Sequence, residues 1–334
     1  MGSQSLDQRR LSPRSLVQLK LAASLAIILV LFQYVDFADV WARLRQTDLE
    51  LFAISCLASI LGQVFSALRW VVLMARLKPA ITVTDALVGT FEAAFFNQVL
   101  PSTIGGDAFR AARIVDSGGS IKQALTGVFI DRILGLWFVC AFVAVISVIG
   151  DARTKDAAVF ASLANAGRLI TLGGIGAVIA GCYIKPAWFA RWLAPFVALV
   201  QTFSQTVRAW RSMLPLFIGL TVAYAFSLAG FVACAWAQGS VPAPLDAAII
   251  FAGLLLSGML PVSIGGWGLR EAAAILLFAP LGVSPAQAAS VSILYGLSLI
   301  VVGLAGGLVW LSAGYRRIGA ADQSLFELQQ AKLE

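Results

Sequence analysis

Long apolar runs separated by short polar connections set the pattern of this chain. A helix needs about 20 predominantly apolar residues to cross a bilayer. Six runs reach or approach that length: 16–35, 51–75, 122–149, 168–184, 213–237 and 287–313. The fourth is short and rich in glycine. The first follows Arg9, Arg10, Arg14 and Lys20, as a signal peptide would. It leads into Val35-Asp36-Phe37 without a small-x-small cleavage site, so it reads as a retained helix.

Two further apolar regions, 84–114 and 244–279, are interrupted. Each has a helix-length arm, then Leu-Pro, then Ile-Gly-Gly, then a second arm. Proline removes a helix donor and glycine lets the chain reverse. The second arm of the first region, from Gly105 to Arg113, is too polar to span, so a re-entrant helical hairpin fits best. The expected fold class is therefore an all-α integral membrane protein of six transmembrane helices and two re-entrant hairpins. Its expected parts are a tail over 1–15, one unit over 16–149, a second over 168–313 and a tail over 314–334. Segments 36–50 and 186–211 mix aromatic and charged residues and read as helices lying along the membrane surface.

Charge then orients the chain. With the N-terminus inside, the spans and hairpins place seventeen of the 24 lysines and arginines on the cytoplasmic side and five outside; Arg132 and Arg270 fall within membrane segments. This bias predicts a bacterial-type inner-membrane protein with both termini in the cytoplasm. The first hairpin then enters from the cytoplasm and the second from outside, so the two units are inverted. Composition agrees with a bilayer as solvent: 60% of residues are hydrophobic and 12% charged. The net charge of +7 is spread over loops, which argues against a nucleic-acid partner. Histidine is absent, and Cys56, Cys140, Cys182 and Cys234 lie singly in apolar stretches. No metal site, cofactor or catalytic set is expected from these residues.

The most informative feature is internal. Leu100-Pro101-Ser102-Thr103-Ile104-Gly105-Gly106-Asp107-Ala108-Phe109-Arg110 recurs as Leu260-Pro261-Val262-Ser263-Ile264-Gly265-Gly266-Trp267-Gly268-Leu269-Arg270, with six of eleven positions identical. Asp85-Ala86 is echoed by Asp246-Ala247. Ser120, Gln123 and Ala124 are echoed by Ser284, Gln287 and Ala288. Inverted repeats with broken helices are an architecture of secondary transporters. The bland alternative is a good hairpin turn reused after duplication. A helix restarting after Gly-Gly offers free N–H groups and a positive dipole end to an anion. Ser102, Thr103 and Ser263 add hydroxyls, and Arg110 and Arg270 add charge suited to phosphate. Each arginine has the alternative of a structural ion pair, with Asp107 or Glu271. Both are expected a little over one turn into their half-helices, with the two glycine pairs meeting near the bilayer centre. Asp131 and Arg132 lie about ten residues into a span, where charge is costly, so they should face the protein interior. Glu92 and Asn97 are weaker candidates, Glu92 as a partner for an arginine or a carrier of a coupling proton.

At these residues the chain resembles the lysylphosphatidylglycerol synthase transmembrane (flippase-like) family. The resemblance rests on Asn97-Gln98-Val99-Leu100-Pro101, Gly105-Gly106-Asp107, Arg110, Asp131-Arg132, Pro261, Gly265-Gly266-Trp267-Gly268 and Arg270-Glu271, and runs from about residue 15 to 315. It implies a phospholipid or other lipid-linked anionic substrate and a flippase-like role. Nothing resembling the family's aminoacyltransferase domain follows residue 316, so a stand-alone member is expected and aminoacylation is not carried over. A membrane enzyme acting on a lipid, or a scaffold for a lipid-modifying enzyme partner, are the alternatives.

Overall fold

The computed structural model describes Leu29, Leu31, Gln33 and residues 35–77, 81–100, 103–149, 158–183, 210–259, 263 and 265–330. Among these the chain is all helix, apart from turns and loops. The helices are α1 (Phe37–Arg45), α2 (Leu49–Leu77), α3 (Val83–Val99), α4 (Thr103–Asp116), α5 (Ile121–Ile149), α6 (Ala158–Tyr183), α7 (Trp210–Ala237), α8 (Pro244–Met259), α9 (Leu269–Phe278) and α10 (Pro285–Gln330). Five of them, α2, α5, α6, α7 and α10, are long and apolar enough to cross a membrane. They coincide with five of the six spans expected from sequence. Most of the first span, and the surface helix expected over 186–211 up to residue 209, lie outside the described residues.

Local chemistry explains several boundaries. Asp36 caps α1, its carboxylate accepting from the Ala38 amide at 2.9 Å. Buried Val40 turns toward Ala286 and Ala289 at the start of α10, while Trp41 faces outward. The surface helix expected over 36–50 thus stops at Arg45, and α2 begins at Leu49. α6 starts ten residues before the expected 168–184. Arg168 reaches the Ser147 hydroxyl of α5 at 3.0 Å and Asn165 at 3.4 Å, so a residue expected at a span's edge lies inside a helix.

Both interrupted regions form helix pairs, α3 with α4 and α8 with α9. Their outer limits match 84–114 and 244–279 closely. The most extensive interface joins α2 to α7, through small residues that let backbones approach. A methyl group on Gly62 would sit 2.9 Å from the Ser227 hydroxyl, and one on Gly230 would meet the Ser55 carbonyl at 3.1 Å. α3 lies against α10 just as tightly: a Cβ on Gly306 would collide with the Phe91 carbonyl. Phe231, Phe251, Phe278 and Tyr295 fill the largest apolar cluster, between α7, α8, α9 and α10. Trp70, Leu73, Ile114 and Ile130 centre a second, between α2, α4 and α5.

The repeat has a physical counterpart. Ser120 and Gln123 form a reciprocal cap at the start of α5, and the Gln123 amide also donates to the Leu77 carbonyl at 3.2 Å. At the start of α10, the Ser284 hydroxyl accepts from the Gln287 amide nitrogen, and the Gln287 side chain donates to the Gln238 carbonyl at 3.0 Å. In both halves a glutamine in the first turn of one long helix holds the C-terminal end of another, α2 or α7. The following alanines, Ala124 and Ala288, are fully buried.

Candidate functional site

Three helices converge charge on one place. Arg69 comes from α2, Asp107 and Arg110 from α4, and Asp131 and Arg132 from α5. Arg110 lies one turn beyond Asp107, so both face α5. The Arg69 guanidinium meets Asp131 Oδ1 at 2.5 Å, and Arg110 Nη1 meets Asp131 Oδ2 at 3.1 Å. Asp107 holds Arg132 at 2.8 Å and lies 3.8 Å from Arg110. The Arg110 guanidinium also sits over the Trp70 ring, 4.0 Å from its centroid. Four of these five side chains are at least 90% shielded; Arg132 is 44% exposed.

These residues line a polar cavity of about 200 Å³. Gln63, Thr90, Asn97 and Tyr224 complete much of its wall, with Met259 from the end of α8. Arg110 Nε and Nη2 and Arg69 Nε are buried without a hydrogen-bond partner among the described residues. The five charged groups carry three positive and two negative formal charges. Beside them Arg113 and Glu92 form their own two-point pair, with Nε donating to Oε2 at 2.9 Å. Glu92 is therefore an arginine's partner, one of the two roles its position suggested.

The second copy of the motif is built differently. Arg270 donates to Glu271 Oε1 from Nη2 at 3.1 Å and to the Ser292 hydroxyl from Nε at 3.3 Å, over the Trp267 ring. Ser292 also donates to Glu271 Oε1, and Glu271 Oε2 accepts the Gly268 amide at 2.6 Å, closing the network at the start of α9. Arg270 does not line the Arg110 cavity.

The expected equal placement of the arginines is corrected here. α4 begins at Thr103, so Gly105 and Gly106 are inside the helix and Arg110 lies about two turns in. Gly265, Gly266 and Gly268 have φ of 58°, 81° and 84°, and α9 begins only at Leu269, which puts Arg270 in its first turn. One sequence difference contributes. Gly268 takes a backbone conformation that L side chains resist, and its counterpart in the first copy is Ala108, which stays helical. The Gly106 amide, one of the donors expected to face an anion, is taken by Asn97 Oδ1 at 3.2 Å. Ser102 lies outside the described residues, and Thr103 is described only as the first residue of α4. Ser263 is buried, its hydroxyl without a hydrogen-bond partner among the described residues. The two motifs are nonetheless neighbours: a Cβ on Gly265 would stand 3.4 Å from Gln98 Oε1 at the end of α3.

Arg69 was missed by sequence reasoning, which counted it among cytoplasmic loop charges with Arg110 and Arg113. All three are held in buried or half-buried ion pairs instead. The signal was present: an arginine followed by tryptophan inside the apolar run 51–75. Tyr224, Thr90 and Gln63 carried no distinguishing pattern.

The chain matches the family described as the lysylphosphatidylglycerol synthase TM region over residues 17–307. It belongs to that family. The match takes in every motif named above and α1 through the first half of α10, so this lysylphosphatidylglycerol synthase TM-region protein is a multi-pass membrane protein of lipid metabolism or transport. No curated protein matches the chain. Within this family member the polar cluster of the first half is the candidate site, and the second-half network around Arg270 is a closed structural counterpart.

Proposed function

We propose that this protein is a flippase-like transporter, and that it holds the phosphate of an anionic lipid against Arg69 and Arg110. One observation carries the reading: guanidinium donors of Arg69 and Arg110 are buried on a polar cavity without a hydrogen-bond partner among the described residues. Buried donors left without acceptors are costly, and charged groups at membrane depth mark substrate pathways. An anion supplies the missing acceptors, and a guanidinium fork suits two phosphate oxygens.

Depth supports a lipid rather than a surface ligand. Asp131 lies ten residues beyond Ile121, or about 15 Å along α5 at 1.5 Å per residue. That is about half of a 30 Å hydrocarbon core. We place α3–α4 and α8–α9 as re-entrant hairpins entering from opposite faces of a bacterial-type inner membrane, with both termini cytoplasmic. The paired glutamine tethers support a relation between the halves, as does the packing of each hairpin against the last helix of the other half, α3 on α10 and α8 on α5. Such halves can exchange roles across the membrane.

The test is transport of a head-group-labelled phosphatidylglycerol in proteoliposomes. Arg110→Lys keeps the charge and loses the planar fork; it should slow flipping by about tenfold or more, the equivalent of about 1.4 kcal/mol. Arg270→Lys should act on stability more than on the rate. Wild-type flipping in Arg110→Lys would remove the reading's main support.

A further inference from the structure

A second cavity lies beside the polar one. It measures about 330 Å³ and sits between α5, α7 and α8. Phe138, Phe142, Leu228, Phe251 and Leu255 make most of its wall, and no charged side chain lines it. The Thr221 hydroxyl is turned away into the Phe217 carbonyl at 2.8 Å, leaving its methyl group to the cavity.

Tyr224 lines both cavities. Its ring stacks on Phe138 at 5.1 Å in the apolar one. Its hydroxyl reaches toward Gly135, on the wall of the polar one, where a Cβ would stand 3.4 Å from the oxygen. An aromatic body in an apolar space with a hydroxyl in a polar one is the arrangement that tyrosine takes where two solvents meet. A phosphate against Arg110 and a hydrocarbon chain against Phe138 would therefore lie on the two sides of one residue.

We propose that the apolar cavity holds a hydrocarbon chain of the same lipid whose phosphate occupies the arginine cluster, with Tyr224 at the junction. This rests on the head-group reading above. It narrows the substrate to a lipid in which phosphate and chain are close neighbours, and it makes the chain a determinant of affinity.

Ala225 is an exposed residue on the wall of this cavity and not of the polar one, so a large side chain there fills the space with little disturbance of packing. The experiment compares dissociation constants of dioleoyl and dihexanoyl phosphatidylglycerol for the purified full chain in neutral detergent. The wild type should favour the long-chain lipid by about tenfold or more, since the longer chain has more apolar surface to bury in the cavity. Ala225→Trp should bring the ratio toward one while leaving dihexanoyl affinity nearly unchanged. Ala225→Leu should fall between. An unchanged ratio in both variants overturns the assignment, and so does an equal loss of both ligands in a variant with a wild-type melting profile. Arg110→Lys serves as the separate control: it should weaken both lipids together and keep the ratio. If it weakens neither, the head-group reading fails on its own account. A collapsed ratio in Ala225→Trp would then still place the chain.

Discussion

Asp131 is the residue on which the cluster turns. Its two oxygens are divided between Arg69 and Arg110, so it stands where a lipid phosphate would have to compete. Removing one partner of a buried pair leaves an uncompensated charge and costs about 3–5 kcal/mol. Asp131→Asn should therefore lower thermal stability in neutral detergent by about that amount. It should also recover more stability than the wild type does when phosphatidylglycerol is added, because the lipid then replaces the carboxylate lost between the two arginines. Melting curves with and without the lipid check this; equal shifts in the two proteins would mean that the phosphate does not reach the arginines. The acidic partners Asp107, Asp131 and Glu92 were legible in the sequence because a carboxylate in an apolar run demands an explanation. Arg69 was not, since an arginine near the end of a span also fits a cytoplasmic boundary.

At the level of elements, one motif makes two structures. Gly106 is a packing glycine inside α4: a Cβ there would collide with the Ala93 carbonyl oxygen of α3. Gly266 is a conformational glycine at φ 81°, with room for a methyl group, its nearest contact being the Gly258 Cα at 3.9 Å. Gly106→Ala should separate α3 from α4 and lose both stability and transport. Gly266→Ala should cost only about 1–2 kcal/mol, the steric cost of a left-handed residue. Thermal unfolding of the two variants ranks them, and a larger loss in Gly266→Ala would contradict the assignment. The helix pairs themselves were readable from Leu-Pro and Gly-Gly inside apolar runs. Their unequal internal geometry was not, although one visible difference, Ala108 against Gly268, contributes to it. Six identities in eleven suggested equal sites, whereas the arginines found different partners: Asp131 on α5 for one, the adjacent Glu271 for the other.

For the molecule as a whole, five long helices coincide with apolar runs because burial in lipid leaves a pattern too long to mistake. The meeting of α2 with α7 depends instead on where serines and glycines face, which hydropathy does not record. The proposed inversion makes a direct demand. In a cysteine-free background, Gly119→Cys between α4 and α5 and Gly282→Cys between α9 and α10 should react with an impermeant thiol reagent from opposite faces of the membrane. Labelling of both from one face would end the inverted arrangement. The account's centre, however, is that buried arginines hold a lipid phosphate, and the lipid itself can be weighed. Native mass spectrometry of the purified wild type should show a bound phosphate-bearing lipid, and Arg110→Lys, purified identically, should have lost most of it. Equal retention by the two proteins, or a wild type carrying only lipid without a phosphate, would contradict the account.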